Sequence, residues 1–420
     1  MPKKELELYL HIPFCVRKCH YCDFLSAPSD EETREQYVQA LCREIASYKD
    51  MAAEYEVSTV FFGGGTPTIL CTEQFEQIIS ALQETFTVSR RTTHRTEEKS
   101  CGICNSKMHY LETKDFEKQE QKEVTEAIEF TVECNPGTLT EELLSGLKRM
   151  GVNRLSIGLQ SADDAELKLL GRIHNYEAFL ESFRLARAAG FENINVDLMQ
   201  ALPGQTVQSF CNTLQKVIAL QPEHISAYSL MIEENTKFYE WYGEDSDKLP
   251  SEDTEREIYK MTQQMLGEAG YLQYEISNYA KPGYECRHNC GYWTGTEYLG
   301  LGLGASSYIE GIRFTQTENL REYLSGYSAG AIGTPERKNV HVLGKSEQME
   351  EFMFLGLRLC AGVSRLEFAK HFETDYETVY GAVTEQLTGQ GLLKEEGEFL
   401  FLTELGRDLS NRVLAEFLLE

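Results

Sequence analysis

The 420-residue chain has no run of about 18 apolar residues, so nothing in it spans a bilayer as a helix. Its opening, MPKKELELYLHIPF, carries basic residues but not the apolar stretch of a secretory leader, and the chain is expected to be cytoplasmic with no stable membrane insertion. Positive charge is also scarce. Forty Lys and Arg stand against 67 Asp and Glu, a net charge of −27. A field of that sign repels a phosphate backbone, which excludes nucleic acid as an expected partner, and an anionic ligand must be held by local donors. The 12 cysteines lack the spacing of a disulfide framework and are read as thiols. Four of them, Cys42, Cys71, Cys211 and Cys360, are expected to be buried, packing as small apolar residues.

One further absence concerns ligand number. The stretch HIPFCVRKCHYCDF, His11 to Phe24, sets out Cys15, Cys19 and Cys22 as C-x3-C-x2-C, with no fourth cysteine close behind. Tetrahedral zinc wants four ligands. Either another residue completes the site, with His11 and His20 nearby, or the site is meant to stay open. A [4Fe–4S] cube on three thiolates leaves one iron for an external chelating group, and three cysteines are then a complete set.

Apolar, β-branched runs recur along the chain, each leading into a helical pattern. Strands are expected at 5–12, 58–64, 128–134, 154–160, 193–199 and 224–230, with helices such as REQYVQALCREIASYK, TEELLSGLKRMG and YEAFLESFRLARAAG between them. Six alternations imply an α/β fold with a parallel sheet, open or closed into a barrel. Function in such sheets gathers at the C-terminal strand ends. The cysteine loop follows the first strand, GGGTPT (63–68) the second, and ECNPG (133–137) ends the third. Gln160 ends the fourth strand, and Asp197 lies near the end of the fifth. Every unusual motif therefore falls on one rim.

Residues 87–127 break the rhythm as a long polar stretch, read as a surface insertion. Within it Cys101 and Cys104, with His94 and His109 nearby, allow a zinc knuckle, a redox pair or an exposed loop, and no role is assigned. From Lys345 onward the pattern is three helices, a short hairpin and a closing helix, like a winged helix. That segment carries 7 Lys and Arg against 15 Asp and Glu, which argues for protein contact or substrate covering and against DNA. The expected division is 1–240 for the sheet with its insertion, 241–344 for a connecting region, and 345–420 for the α+β C-terminal domain.

The cysteine spacing, followed by an aromatic-acid pair, resembles the radical S-adenosylmethionine (SAM) enzymes. The further segments YLHIPF, FFGGGTPT, ECNPGTLT, NRLSIGLQS, LGRIHN, NVDLMQALPGQT, EHISAYSL and CRHNCGYW are similar to the oxygen-independent coproporphyrinogen III oxidase-like family, and within it to the haem chaperone branch. The resemblance covers most of the chain. It implies a partial (β/α)6 barrel capped by a C-terminal domain, with Cys15, Cys19 and Cys22 on a [4Fe–4S] cluster. It also implies SAM among Tyr9, Tyr21, Gly64, Gly65, Thr66, Glu133, Gln160, Arg172 and Asp197. The motif H-N-x-x-Y-W, His288 to Trp293, is similar to the haem-binding motif of the chaperones, making His288 the axial candidate, with Cys286 and Cys290 as flanking thiols. Haem and haem-accepting apoproteins are the implied partners, and a homodimer is expected.

Two departures bear on the choice of branch. Phe24 stands where the oxidases are expected to continue with C-x-C, which favours the chaperone. Ser306 stands within GLGASSY where the family often carries a histidine. The enzymatic alternative is oxidative decarboxylation of coproporphyrinogen III propionates through a 5′-deoxyadenosyl radical. A third reading, a zinc-bound protein with an acidic interaction surface, requires that no iron cluster forms.

Overall fold

The computed structural model describes residues 3–88, 91–95, 122–126, 128–243, 247–329 and 336–419. Strands β1 (Lys4–Ile12) and β2 (Tyr55–Gly64) are followed by a hairpin of β3 (Arg91–Arg95) and β4 (Lys122–Glu126) within the polar insertion. Four more strands complete the expected series: β5 (Glu129–Cys134), β6 (Arg154–Gln160), β7 (Ile194–Gln200) and β8 (His224–Ser229). The order β1-β2-β5-β6-β7-β8 is parallel throughout, with crossover helices between strands. Those helices start where the sequence offers a cap. Asp30, Thr140, Asn175 and Thr206 each accept the backbone N–H three residues on.

The sheet does not close. Beyond β8 it continues antiparallel as β10 (Asn278–Ala280) and then β9 (Leu272–Gln273). On the other side β1 pairs in parallel with β11 (Tyr298–Leu301), followed by β12 (Ser306–Ile309), β13 (Ile312–Thr315) and β14 (Lys338–Val342). The result is a 12-stranded mixed sheet curved as a partial barrel. Alternation along β1 shows how it is layered. Leu6, Leu8, Leu10 and Ile12 are fully buried in the core shared with Tyr37, Leu41 and Ile45 of the helix Glu31–Ser47. Glu7, Tyr9 and His11 take the other, concave face.

The helix Arg287–Thr294, which carries the HNxxYW motif, plugs the end of the barrel where the strands begin. The Glu129 carboxylate, at the start of β5, accepts from Arg287 N at 2.9 Å and His288 N at 3.1 Å, satisfying the helix N-terminus. The helix needs glycine at Gly291, because a Cβ there would collide with the Glu7 carboxylate.

A second core forms the C-terminal module around Phe368, Tyr380, Leu400, Val413 and Phe417. Helices Lys345–Gly356, Arg365–Phe372 and Tyr376–Gly389 pack with a small sheet of β15 (Val363–Ser364), β16 (Leu393–Glu396) and β17 (Phe399–Leu402). This is the winged-helix-like arrangement the sequence implies. It docks beside the plugging helix, through Arg313 to Glu351 at 2.8 Å and Arg358 to Glu275 at 3.6 Å. The Arg358 guanidinium also lies 4.3 Å from the Trp293 ring centroid. The module thus covers the floor of the barrel, at the opposite end from the cysteine loop.

The expectation of four buried thiols is corrected. Cys71 is exposed at the start of the helix Thr72–Thr85, and Cys42, Cys211 and Cys360 are only partly buried. Among the described residues the buried thiols are Cys134, Cys286 and Cys290.

Candidate cofactor site

Ile12 ends β1, and the chain turns directly into the cysteine loop. The loop is tied down by backbone and side-chain bonds on several sides. Cys15 N donates to Ala27 O at 3.1 Å, and His20 N donates to Leu170 O at 3.0 Å. Arg17 Nη2 donates to Gly171 O at 2.7 Å. The His20 ring bonds Leu169 O at 3.0 Å and meets Trp241 of the rim helix Lys237–Tyr242 edge-on at 4.8 Å. Cys15, Cys19 and Cys22 are all free and partly exposed within this frame. Burial pushes the Cys22 thiol up. His11 of the zinc reading has both ring nitrogens engaged, with Tyr9 OH at 3.1 Å and Leu25 O at 2.9 Å. Among the described residues no three His, Cys, Asp or Glu side chains converge on one ion. Three thiols spread around a loop suit a cube, whose ligands sit on separate irons, better than a mononuclear ion.

The glycine turn lies against this loop with no spare room. Gly64 has φ +107°, and a Cβ on it would strike the His11 ring. A Cβ on Gly65 would come within 2.9 Å of Cys15 Sγ. Thr66 Oγ1 is buried and donates to Cys15 Sγ at 3.6 Å. A small open cleft lies beside the turn, lined by Val16, Cys19, Thr66, Asn135, Arg172 and Ile173.

The strand ends supply the polar side. Gly64 N donates to Glu133 Oε2 at 3.2 Å. Burial, with repulsion from Asp197, pushes Glu133 up to about 8. Asp197 accepts from Ser156 at 3.0 Å and Asn195 at 2.8 Å, and burial raises it too. Gln160 sits at φ +71° beside a register shift between β6 and β7, which turns it off the strand. Its Oε1 accepts from Tyr228 OH at 2.9 Å. Arg172 donates from Nη2 to Asn135 Oδ1 and to Gly158 O, and from Nη1 to Cys19 Sγ at 3.7 Å. Tyr21 is raised by burial and packs on Phe238. Tyr9 is also raised by burial and is close behind Gly63. Of the rim residues assigned from sequence, Cys19, Thr66 and Arg172 line the cleft, Thr66 reaches Cys15 and Arg172 reaches Cys19, and Glu133 meets the glycine turn at Gly64. Asn135 and Tyr228 were missed. Asn135 stands inside ECNPG, and its own signal was overshadowed by Glu133.

His288 is elsewhere. It sits on the floor helix and is 1% exposed. Its Nδ1 shares a hydrogen bond with Thr59 Oγ1 at 2.7 Å, and its Nε2 with Tyr292 OH at 3.0 Å. The ring stacks on Phe61 at 5.0 Å. Burial, aided by Arg154, pushes it down to about 3, so it is neutral. With both nitrogens engaged, His288 as seated does not fit an axial haem ligand. Cys286 and Cys290 are buried beside it, and Cys286 Sγ faces the Glu129 carboxylate at 3.5 Å.

A three-cysteine loop on the first strand of a partial barrel, against a glycine turn and two strand-end acids, defines a radical SAM protein. The Radical SAM superfamily model matches residues 9–217, and the HemN C-terminal domain model matches 343–409. The chain is 35% identical over 420 residues to the heme chaperone HemW of Lactococcus lactis, covering 100% of this chain and 99% of that protein. It is 35% identical to HemW of Bacillus subtilis (98% of each chain) and 32% identical to that of Escherichia coli (99% and 98%). The chain belongs to this HemW family. The solved coproporphyrinogen III oxidase HemN of Escherichia coli shares the fold, with TM-score 0.78 at 23% identity over 100% of this chain and 91% of that one.

Proposed function

We propose that the chain is a radical SAM haem chaperone, which binds haem and delivers it to acceptor apoproteins. The carrying observation is end-to-end similarity to proteins named heme chaperone HemW. Cys15, Cys19 and Cys22 would hold the [4Fe–4S] cluster, and the strand-end residues assigned above would surround SAM. Bound together, these groups supply one-electron chemistry at a sulfonium. The residues fit them: Glu133 and Asp197 are two buried acids, each raised by burial, suited to an ammonium and sulfonium ligand. Phe24, 66% exposed beside Cys22, presents an aromatic ring where the oxidase pattern expects a thiol. Exposed Val16 and Ile173 continue that apolar border around the cleft, which suits a flat apolar ligand.

His288 enters this reading as an axial ligand only if the Thr59 and Tyr292 bonds are given up. In its present seat it holds the barrel floor.

One reconstituted sample tests the proposal. Anaerobic loading with iron and sulfide is expected to give about four iron per chain, lost in Cys19→Ala. Haemin is expected to bind with a Soret shift, and Trp or Phe substitutions on the floor need not alter it. A His288→Ala titration that matches wild type removes His288 as ligand. Turnover of coproporphyrinogen III without haemin binding would move the chain to the oxidase reading.

A further inference from the structure

We propose that Asn135 is a positioning residue for the cysteine loop. It aims two hydrogen-bond donors, the Thr66 hydroxyl and the Arg172 guanidinium, at two of the three cluster-binding thiolates, and so sets the cluster's reduction potential. The inference rests on the cluster reading above and adds a residue to it.

The bonding order is fixed by donor chemistry. Arg172 has only N–H groups to offer, so the amide atom facing its Nη2 must be Oδ1. The amide Nδ2 then points the other way and donates to Thr66 Oγ1 at 2.7 Å. With one lone pair of that oxygen occupied, the Thr66 proton is directed to Cys15 Sγ, 3.6 Å away. On the other arm, Asn135 and Gly158 O together hold Nη2, and this leaves Nη1 aimed at Cys19 Sγ at 3.7 Å. Cys22 takes its donor separately, from the Phe24 backbone. Asn135 thus governs two of three thiol contacts without touching sulfur itself.

Hydrogen bonds to cluster sulfurs stabilise the more negative, reduced state and raise the potential. A cationic guanidinium does so more strongly than a hydroxyl. Releasing both donors must therefore make the cluster harder to reduce.

The test is an EPR-monitored redox titration of reconstituted full-length protein without SAM, with iron content measured on the same samples. Asn135→Leu and Thr66→Val are both expected to load about four iron and to titrate at lower potential than wild type. The expected change for Asn135→Leu is about tenfold in the reduced-to-oxidised ratio at fixed potential, equivalent to about 59 mV for one electron. Thr66→Val, which cuts one arm, is expected to shift less. Loaded Asn135→Leu with the wild-type midpoint overturns the proposal. Should that variant lose its iron, the decision passes to Thr66→Val, whose midpoint must fall for the proposal to stand. Wild-type protein that takes up no cluster defeats the cluster reading itself, a separate and recognisable result.

Discussion

Asp197 lies close enough to Glu133 to repel its charge, and Arg154 is the cation that eases both of them. The protein without its ligand therefore carries an electrostatic cost. Glu133 titrates near 4.5 in an unfolded chain and near 8 in the folded one. Its contribution to stability is full below pH 4.5 and is lost as pH rises through about 8. In Glu133→Gln that loss disappears. The cofactor-free variant is expected to melt about 2 °C above wild type at pH 9 and level with it near pH 4.5, measured by calorimetry. SAM should stabilise wild type and fail to stabilise the variant. A wild-type-like thermal shift with SAM in the variant would remove Glu133 from the ligand site. Stability given up for a binding site is a familiar exchange.

The element with the least room to move is the floor helix Arg287–Thr294. Gly291 lies against Glu7, and Glu129 caps the first turn. Gly291→Ala is expected to cost about 2 kcal/mol or more by overpacking. Trimming the opposing side chain in Glu7→Ala should restore much of it, so a denaturation cycle on the four proteins should be strongly non-additive. Additive losses would show that the two do not press on each other. Neither contact was legible from sequence. Thr59 and His288 are 229 residues apart, and nothing in HNCGYW says which strand will face it. The barrel strands were legible because each pairs an apolar outer face with a capped helix to follow, both local signals. The cysteine loop was legible because its spacing carries its chemistry. Asn135 was not, since its meaning depends on Thr66 and Arg172 arriving from two other strand ends. Cys71 was misjudged for a related reason: thiol burial depends on helix position, which composition does not report.

At the scale of the molecule, the two ends of the barrel have separate neighbours. The cysteine loop is held by the segment Leu169–Arg172 and the rim helix, while the C-terminal module rests on the floor through Arg313 and Arg358. Arg358→Ala is expected to loosen that module and expose the Trp293 face. Hydrogen exchange should then quicken in residues 287–294 and 345–360, with iron loading at the rim unchanged. Faster exchange confined to the cysteine loop would contradict this layout. The HemN C-terminal domain match at 343–409 falls on the module that makes these contacts.

Strand β1 runs from one neighbourhood to the other. Glu7 presses on the floor helix, Tyr9 and His11 back the glycine turn, and Cys15 follows three residues after the strand ends. Slipping this strand by one position would turn Leu8 and Leu10 inward and carry away floor, cleft and metal loop together. The strand works as an alignment key. A chain that has threaded it in register has set the alignment of both ends at once.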